Sequence, residues 1–275
     1  SIQCELGNLA ANGSATITIV GTITTALTTI TNSVSVTTDS PETVTNNNTD
    51  TEDTTVLHFG SVKVNKLLDS DGNGSFETTN PAAFTWSLDG SGTNAMGSTV
   101  NNVTLGAHTV NENTVANYHV VGWFPGGVNS TQYSCTNLPQ GNTTLPAAIT
   151  VAADQTTEIT ICNALDTGSI TVRKMVDRDG NGTYDETNPA DFTWTLDGAG
   201  PYAMGYSHTT VPVGSHNINE NSPSDYHFVG WFPTGQQGWS CTNLPTDTQN
   251  TNFHQLPIPV NVGSGGTSDY TICNA

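Results

Sequence analysis

Two long stretches of the chain carry the same short signatures in the same order, and this duplication limits the possible folds more than any other feature. Residues 60–164 begin "GSVKVNK" and finish "TICNA"; residues 168–275 begin "GSITVRK" and finish with the same five letters. Between those ends both copies carry a DxDGNG stretch, then "FTW", "NEN", "VGWFP" and "SCTNLP". A period of roughly a hundred residues suits a complete small domain and not one turn of a solenoid. At 275 residues the chain has room for two or three such domains, each able to bury a core. The connecting "LDTG" at 165–168 is too short to let the copies move far apart.

Within each copy the periodicity is that of β-strands. "SVKVNKLL", "AHTVNEN", "AAITV" and "TTEITICN" alternate apolar and polar residues, and Gly, Asn, Asp and Pro clusters separate them. No segment sustains a helical period. The predicted fold is all-β, with β-sandwich domains at 58–164 and 165–275 following one another as a rod. Residues 1–57 differ: "SATITIVGTI", "LTTITNSVSVTT" and "NNNTDTEDTTVLHF" read as long Thr-rich strands joined by polar turns. They amount to about half of an Ig-like sandwich. A half-sandwich leaves an apolar face and open edges exposed. The expectation is therefore a truncated domain, or one completed by a strand from a neighbouring subunit.

Charge narrows the partners. Five basic residues stand against 24 acidic ones, a formal net charge of −19. Such a chain is repelled by phosphate backbones and anionic membranes, so a nucleic-acid role is not expected, while divalent cations are attracted. No apolar run is long enough to span a bilayer. The five cysteines form no CxxC, which argues against a zinc or thioredoxin-like site. Each copy holds one pair, predicting the disulfides Cys135–Cys162 and Cys241–Cys273 and an oxidising, extracellular setting. Cys4 is left over, its partner expected upstream or on another chain.

The acidic stretches have the spacing of a calcium loop. Counted from Asp69, oxygen ligands fall at alternate positions: Asp69, Asp71, Asn73, the carbonyl of Ser75, and Glu77, with Gly74 where the chain must turn. The second copy supplies Asp177, Asp179, Asn181, Thr183 and Asp185 around Gly182. The twelfth position departs from the pattern, since Asn80 and Asn188 stand where a bidentate Glu is usual. Two Ca2+ sites are expected, on strand flanks and not in a helix–loop–helix. The competing reading is an Asx-rich turn with a solvated acidic tip.

A third pattern carries chemistry. Lys66 shares a strand face with Val62, Val64 and Leu68, and Lys174 with Ile170, Val172 and Val176. On the same period-2 logic Glu112 lies in phase with Val110, Glu220 with Ile218, Asn163 with Ile159 and Ile161, and Asn274 with Tyr270 and Ile272. Each copy thus sends a Lys, a Glu and an Asn into its core, where none can stay unpartnered cheaply. Desolvation lowers a lysine pKa and raises a glutamate pKa, so a neutral amine would face a carboxamide beside a neutral acid. The amine can attack the amide carbon while the Glu polarises the oxygen and relays protons, releasing ammonia. The product is an intramolecular isopeptide bond between first and last strands, formed once and without turnover, so no enzyme is expected.

The order "GSVKVNK … LGAHTVNEN … ITICNA" resembles the Cna-B-type, SpaA-like prealbumin-fold domains of bacterial pilins and surface adhesins, over about 60–275. That resemblance implies prealbumin-like sandwiches with bonds from Lys66 to Asn163 assisted by Glu112, and from Lys174 to Asn274 assisted by Glu220. His108 and His216 stand where the family often has an aromatic. The cysteine beside each Asn is a departure, although Cys162 and Cys273 should face away from Asn163 and Asn274. Residues 1–57 resemble the second half of the Ig-like conserved repeat of long microbial surface proteins, in which a second Cys often lies just upstream of the position of Cys4. The implied protein is an extracellular pilus, filament or stalk component, at the cell surface or in a secreted filament, whose partners are copies of itself. Polymerisation through strand complementation would use the incomplete N-terminal half. The alternative is an adhesin module binding a carbohydrate or other surface ligand through the aromatics of "GWFPGG" and "GWFPTGQQGW".

Overall fold

The computed structural model describes residues 2–23, 29–244 and 253–275, and it divides into two compact units, 1–58 and 59–275. In the first unit the only strands among the described residues are β1 (Thr29–Ser35) and β2 (Thr49–Thr55), an antiparallel hairpin whose register runs from Thr29↔Thr55 to Ser35↔Thr49. The described residues of "SATITIVGTI" form no strand, which corrects the sequence expectation there. Alternation alone does not make a ladder: Ile17, Ile19, Val20 and Ile23 are exposed, and no strand among the described residues pairs with them.

In the second unit, residues 59–165 supply β3 (Gly60–Asp69), β4 (Thr78–Thr79), β5 (Thr85–Leu88), β6 (Ser91–Ala95), β7 (Thr99–Val103), β8 (Gly106–Glu112), β9 (Tyr118–Pro125), β10 (Ala147–Val151) and β11 (Thr156–Leu165). One sheet has the order β4-β3-β11-β9, with β7 also pairing β3; the other is β10-β8-β5-β6. The rest of the chain repeats this as β12 (Thr167–Val176), β13 (Glu186–Thr187), β14 (Thr193–Leu196), β15 (Ala199–Ala203), β16 (Ser207–Pro212), β17 (Gly214–Asn221), β18 (Phe228–Pro233), β19 (Ile258–Val262) and β20 (Thr267–Asn274). Its sheets are β13-β12-β20-β18, with β16 on β12, and β15-β14-β17-β19. The chain is all-β, each copy two sheets packed face to face, and no helix among the described residues is long and apolar enough to cross a membrane.

First and last strands of each copy lie side by side and parallel. Lys66 pairs with Ile161 and Leu68 with Asn163; Lys174 pairs with Ile272 and Val176 with Asn274. The alternating faces sort as the sequence pattern requires, with Val62, Val64, Lys66 and Leu68 turned inward against Phe84, which precedes β5, and against Trp86 and Val110 of the opposite sheet. Trp86 and Trp194 are fully buried, and each satisfies its indole N–H on a backbone carbonyl, Ala95 and Ala203, at 3.0 and 3.1 Å. A single residue, Asp166, separates β11 from β12. Its amide donates to the Asn117 carbonyl, its own carbonyl accepts from Val213, and its carboxylate meets His119 Nδ1 at 2.7 Å.

Candidate functional site

The inward phase of β3 and β11 brings Lys66 and Asn163 to the same face, two residues out of register on adjacent strands. Glu112 arrives from the other sheet, where it pairs with Trp86. The sandwich therefore converges three polar side chains from three strands at one point in an otherwise apolar core. Lys66 and Asn163 are 0% and 2% exposed. Lys66 Nζ forms an ion pair with Glu112 Oε2, and Asn163 Nδ2 donates to Glu112 Oε1 at 2.6 Å. Asn163 Oδ1 is buried without a hydrogen-bond partner.

The second copy builds the same triad. Lys174 Nζ lies 2.5 Å from both Glu220 Oε1 and Asn274 Oδ1, while Glu220 Oε2 and Asn274 Nδ2 are buried without partners. Each ammonium also sits over an aromatic ring, Phe84 at 4.6 Å and Phe192 at 4.7 Å from the centroid. Burial pushes both lysines down to about 8, against the pull of Glu112 and Glu220 in the other direction. An orphaned buried amide group costs about 1–3 kcal/mol, and both copies leave one on the asparagine.

The disulfides Cys135–Cys162 and Cys241–Cys273 are both formed, with Cα–Cα distances of 5.6 Å. They lie on the outer face of the sheet, in small clusters with Phe124 and with Phe232, while Asn163 and Asn274 turn to the inner face. Adjacent residues on one strand thus serve opposite faces without competing for space. Cys4 is exposed and unbridged.

The two acidic loops differ. Asp69, Asp71 and Glu77 gather so that one oxygen of each lies within 4.8 Å of the others, the only such group among the described residues. Asp69 is buried, and its carboxylate accepts N–H bonds from Gly72, Asn73 and Gly74 at 2.8–3.1 Å. Asn73 Oδ1 accepts from the Ser75 amide at 2.7 Å. Hydrogen bonds within the loop to Asp69 and Asp71 hold its shape and leave three carboxylates clustered on it. In the second loop Asp177 and Asn181 make the corresponding bonds to Asn181, Gly182 and Thr183. Asp185 is one methylene shorter than Glu77 and joins no comparable cluster with Asp177 and Asp179, while Arg178 engages Glu186 and Asp191.

The aromatics of the "GWFP" stretches are buried or half-buried, on alternate faces of their strands. Phe124 and Phe232 cover the disulfides, Trp123 and Trp231 pack against the main cores, and Trp239 meets Phe253. His108 and His216 each place Nδ1 2.7 Å from an aspartate, Asp89 or Asp197, and Nε2 2.8 Å from a backbone carbonyl, Thr104 or Pro212. Sequence patterning gave no signal for these braces, because the aspartates belong to a distant turn.

No protein-family model and no curated protein matches the chain. Among solved structures, its architecture is similar to the Bacillus anthracis TIE protein, at 13% identity and a TM-score of 0.40, over 82% of this chain and 37% of that one. It is also similar to the major pilin protein T-13 of Streptococcus pyogenes, at 12% identity and TM-score 0.35, over 79% and 97% of the two chains. A third is the pilus adhesin SpaC of Lactobacillus rhamnosus GG, at 13% identity and TM-score 0.37, over 82% and 31%. The chain spans little more than a third of the TIE protein and less than a third of SpaC.

Proposed function

We propose that the chain is a load-bearing segment of an extracellular fibre, a pilus or filament subunit or a stalk, with each sandwich locked by an isopeptide bond. The observation that carries this reading is the duplicated burial of a lysine amine against a glutamate and an asparagine on the first and last strands. In the reaction Lys66 Nζ, as the neutral amine, attacks Asn163 Cγ. The amide C–N bond breaks, Nδ2 departs as ammonia carrying the proton that Nζ gives up, and Glu112 passes that proton between them. Lys174, Asn274 and Glu220 do the same in the second copy. Nothing is oxidised or reduced, and the product is stable.

The mechanical consequence follows from topology. Tension entering at β3 would cross the Lys66–Asn163 bond to β11, pass through Asp166 into β12, and cross again from Lys174 to Asn274. Residues 67–162 would then carry no load. Disulfides on both copies accord with an oxidising extracellular setting. The clustered carboxylates of the first loop would take Ca2+ through Asp69, Asp71 and Glu77, neutralising part of an acidic surface; the second loop would bind more weakly.

Force spectroscopy on the full chain, pulled from its ends with disulfides reduced, tests the proposal. The unsubstituted chain is expected to show no lengthening from residues 67–162, whereas Lys66→Met releases that length at a discrete unfolding event. Equal extension of both chains overturns the reading.

A further inference from the structure

The twelfth loop position, Asn80 in the first copy and Asn188 in the second, does not face the acidic loop. It faces the reactive lysine's backbone. On the outer side of β3, β7 pairs with Gly60–Lys63 and β4 with Leu67 and Leu68, which leaves an unpaired gap at Val64–Lys66. Asn80 fills it. The Lys66 amide donates to Asn80 Oδ1 at 2.7 Å, and the Asn80 amide donates to the Lys66 carbonyl at 3.0 Å. Just before it, the Gly97 amide donates to the Val64 carbonyl at 2.7 Å. One residue thus supplies both the acceptor and the donor that a missing strand would have offered.

The second copy repeats each contact: Lys174 to Asn188 Oδ1 at 2.8 Å, Asn188 to the Lys174 carbonyl at 2.9 Å, and Gly205 to the Val172 carbonyl at 2.7 Å. Asn80 and Asn188 have φ of 48° and 49°, the left-handed conformation that asparagine tolerates better than most residues. The glycines make room for them, since a Cβ on Gly97 would lie 2.7 Å from Asn80 Nδ2, and one on Gly205 3.0 Å from Asn188 Nδ2.

We infer that Asn80 and Asn188 are positioning residues for isopeptide formation, clamping the lysine backbone so that Nζ is held against the glutamate and the asparagine. This rests on the cross-linking reading above. A buried side chain on a strand takes its direction from its own Cα, and cross-linking requires the amine to be placed to within a fraction of an ångström; misplacement by about 1 Å can cost on the order of a hundredfold in rate. The clamp acts at the residue whose side chain reacts, in both copies. Calcium-loop spacing does not explain an asparagine whose Oδ1 is committed to a strand amide.

The test follows intact mass, after reduction, during timed synthesis of the full chain; the second copy serves as an internal control. The unsubstituted chain is expected to lose two ammonia molecules. Asn80→Gly keeps the left-handed backbone and the bond to the Lys66 carbonyl but removes Oδ1. It should lose the first ammonia normally and the second at least about tenfold more slowly. Asn80→Asp, which retains the acceptor, should restore most of the rate. If Asn80→Gly cross-links both copies at the unsubstituted rate while only its melting temperature falls, Asn80 is structural and the inference is overturned alone. If the unsubstituted chain loses no ammonia, the cross-linking reading fails and the inference with it.

Discussion

Lys66 and Lys174 are the residues on which the account turns, because an ammonium has no ordinary reason to lie in the middle of a β-sandwich. Desolvation lowers both to about 8, so a tenth or so of each population is neutral near pH 7 and able to attack. The sign is fixed by the nucleophile: below the lowered pKa the reactive form grows about tenfold for each pH unit, and above it growth stops. Cross-linking measured by mass during refolding is therefore expected to accelerate from about pH 6 to about pH 8 and then level off. A rate that falls over that range would mean that the protonated lysine is the competent form. Glu112 and Glu220 hold the amines in place, and removing one glutamate alone would leave a buried charge unpaired, a loss of about 3–5 kcal/mol. Substitution of the lysine by methionine is the cleaner probe.

At the scale of elements, the strands carry the chemistry and the loops differ between copies. The triads were legible in the sequence because period-2 phase is strict: once Val62, Val64 and Leu68 face the core, Lys66 must follow, and the same holds for Asn163 behind Ile161. Its shared phase with Val110 turns Glu112 to the core, but that its strand belongs to the opposite sheet is visible only in the fold. The role of Asn80 was not legible, since the spacing that places it at the twelfth loop position says nothing about the gap it fills beside β3. Residues 14–23 had the alternation of a strand but pair with no strand among the described residues, and pairing is a property of the fold and not of the segment. The loops yield a specific expectation. Glu77 completes a carboxylate cluster that the shorter Asp185 does not, so adding Ca2+ after chelation should raise the melting midpoint by mass action. Glu77→Gln should abolish most of that rise and Asp185→Asn little of it. A midpoint indifferent to calcium removes the metal from the account.

For the whole molecule, the disulfide-bridged sandwiches of residues 59–275 contrast with residues 1–58, whose described part forms strands only in one hairpin. In the larger unit each copy has a disulfide on one face of its final strand and the Lys–Glu–Asn triad on the other, and β11 passes into β12 through Asp166 alone. In the smaller unit Ile17, Ile19, Val20, Ile23, Val34 and Val36 are exposed. Everything mechanical depends on the two proposed bonds. The most direct measurement is the intact mass of the purified, fully reduced chain, with fragmentation to locate any cross-link. The mass is expected to lie below that of the sequence by two ammonia molecules, with Lys66 joined to Asn163 and Lys174 to Asn274, and by only one in Lys66→Met. A reduced chain whose mass equals that of its sequence would contradict this expectation.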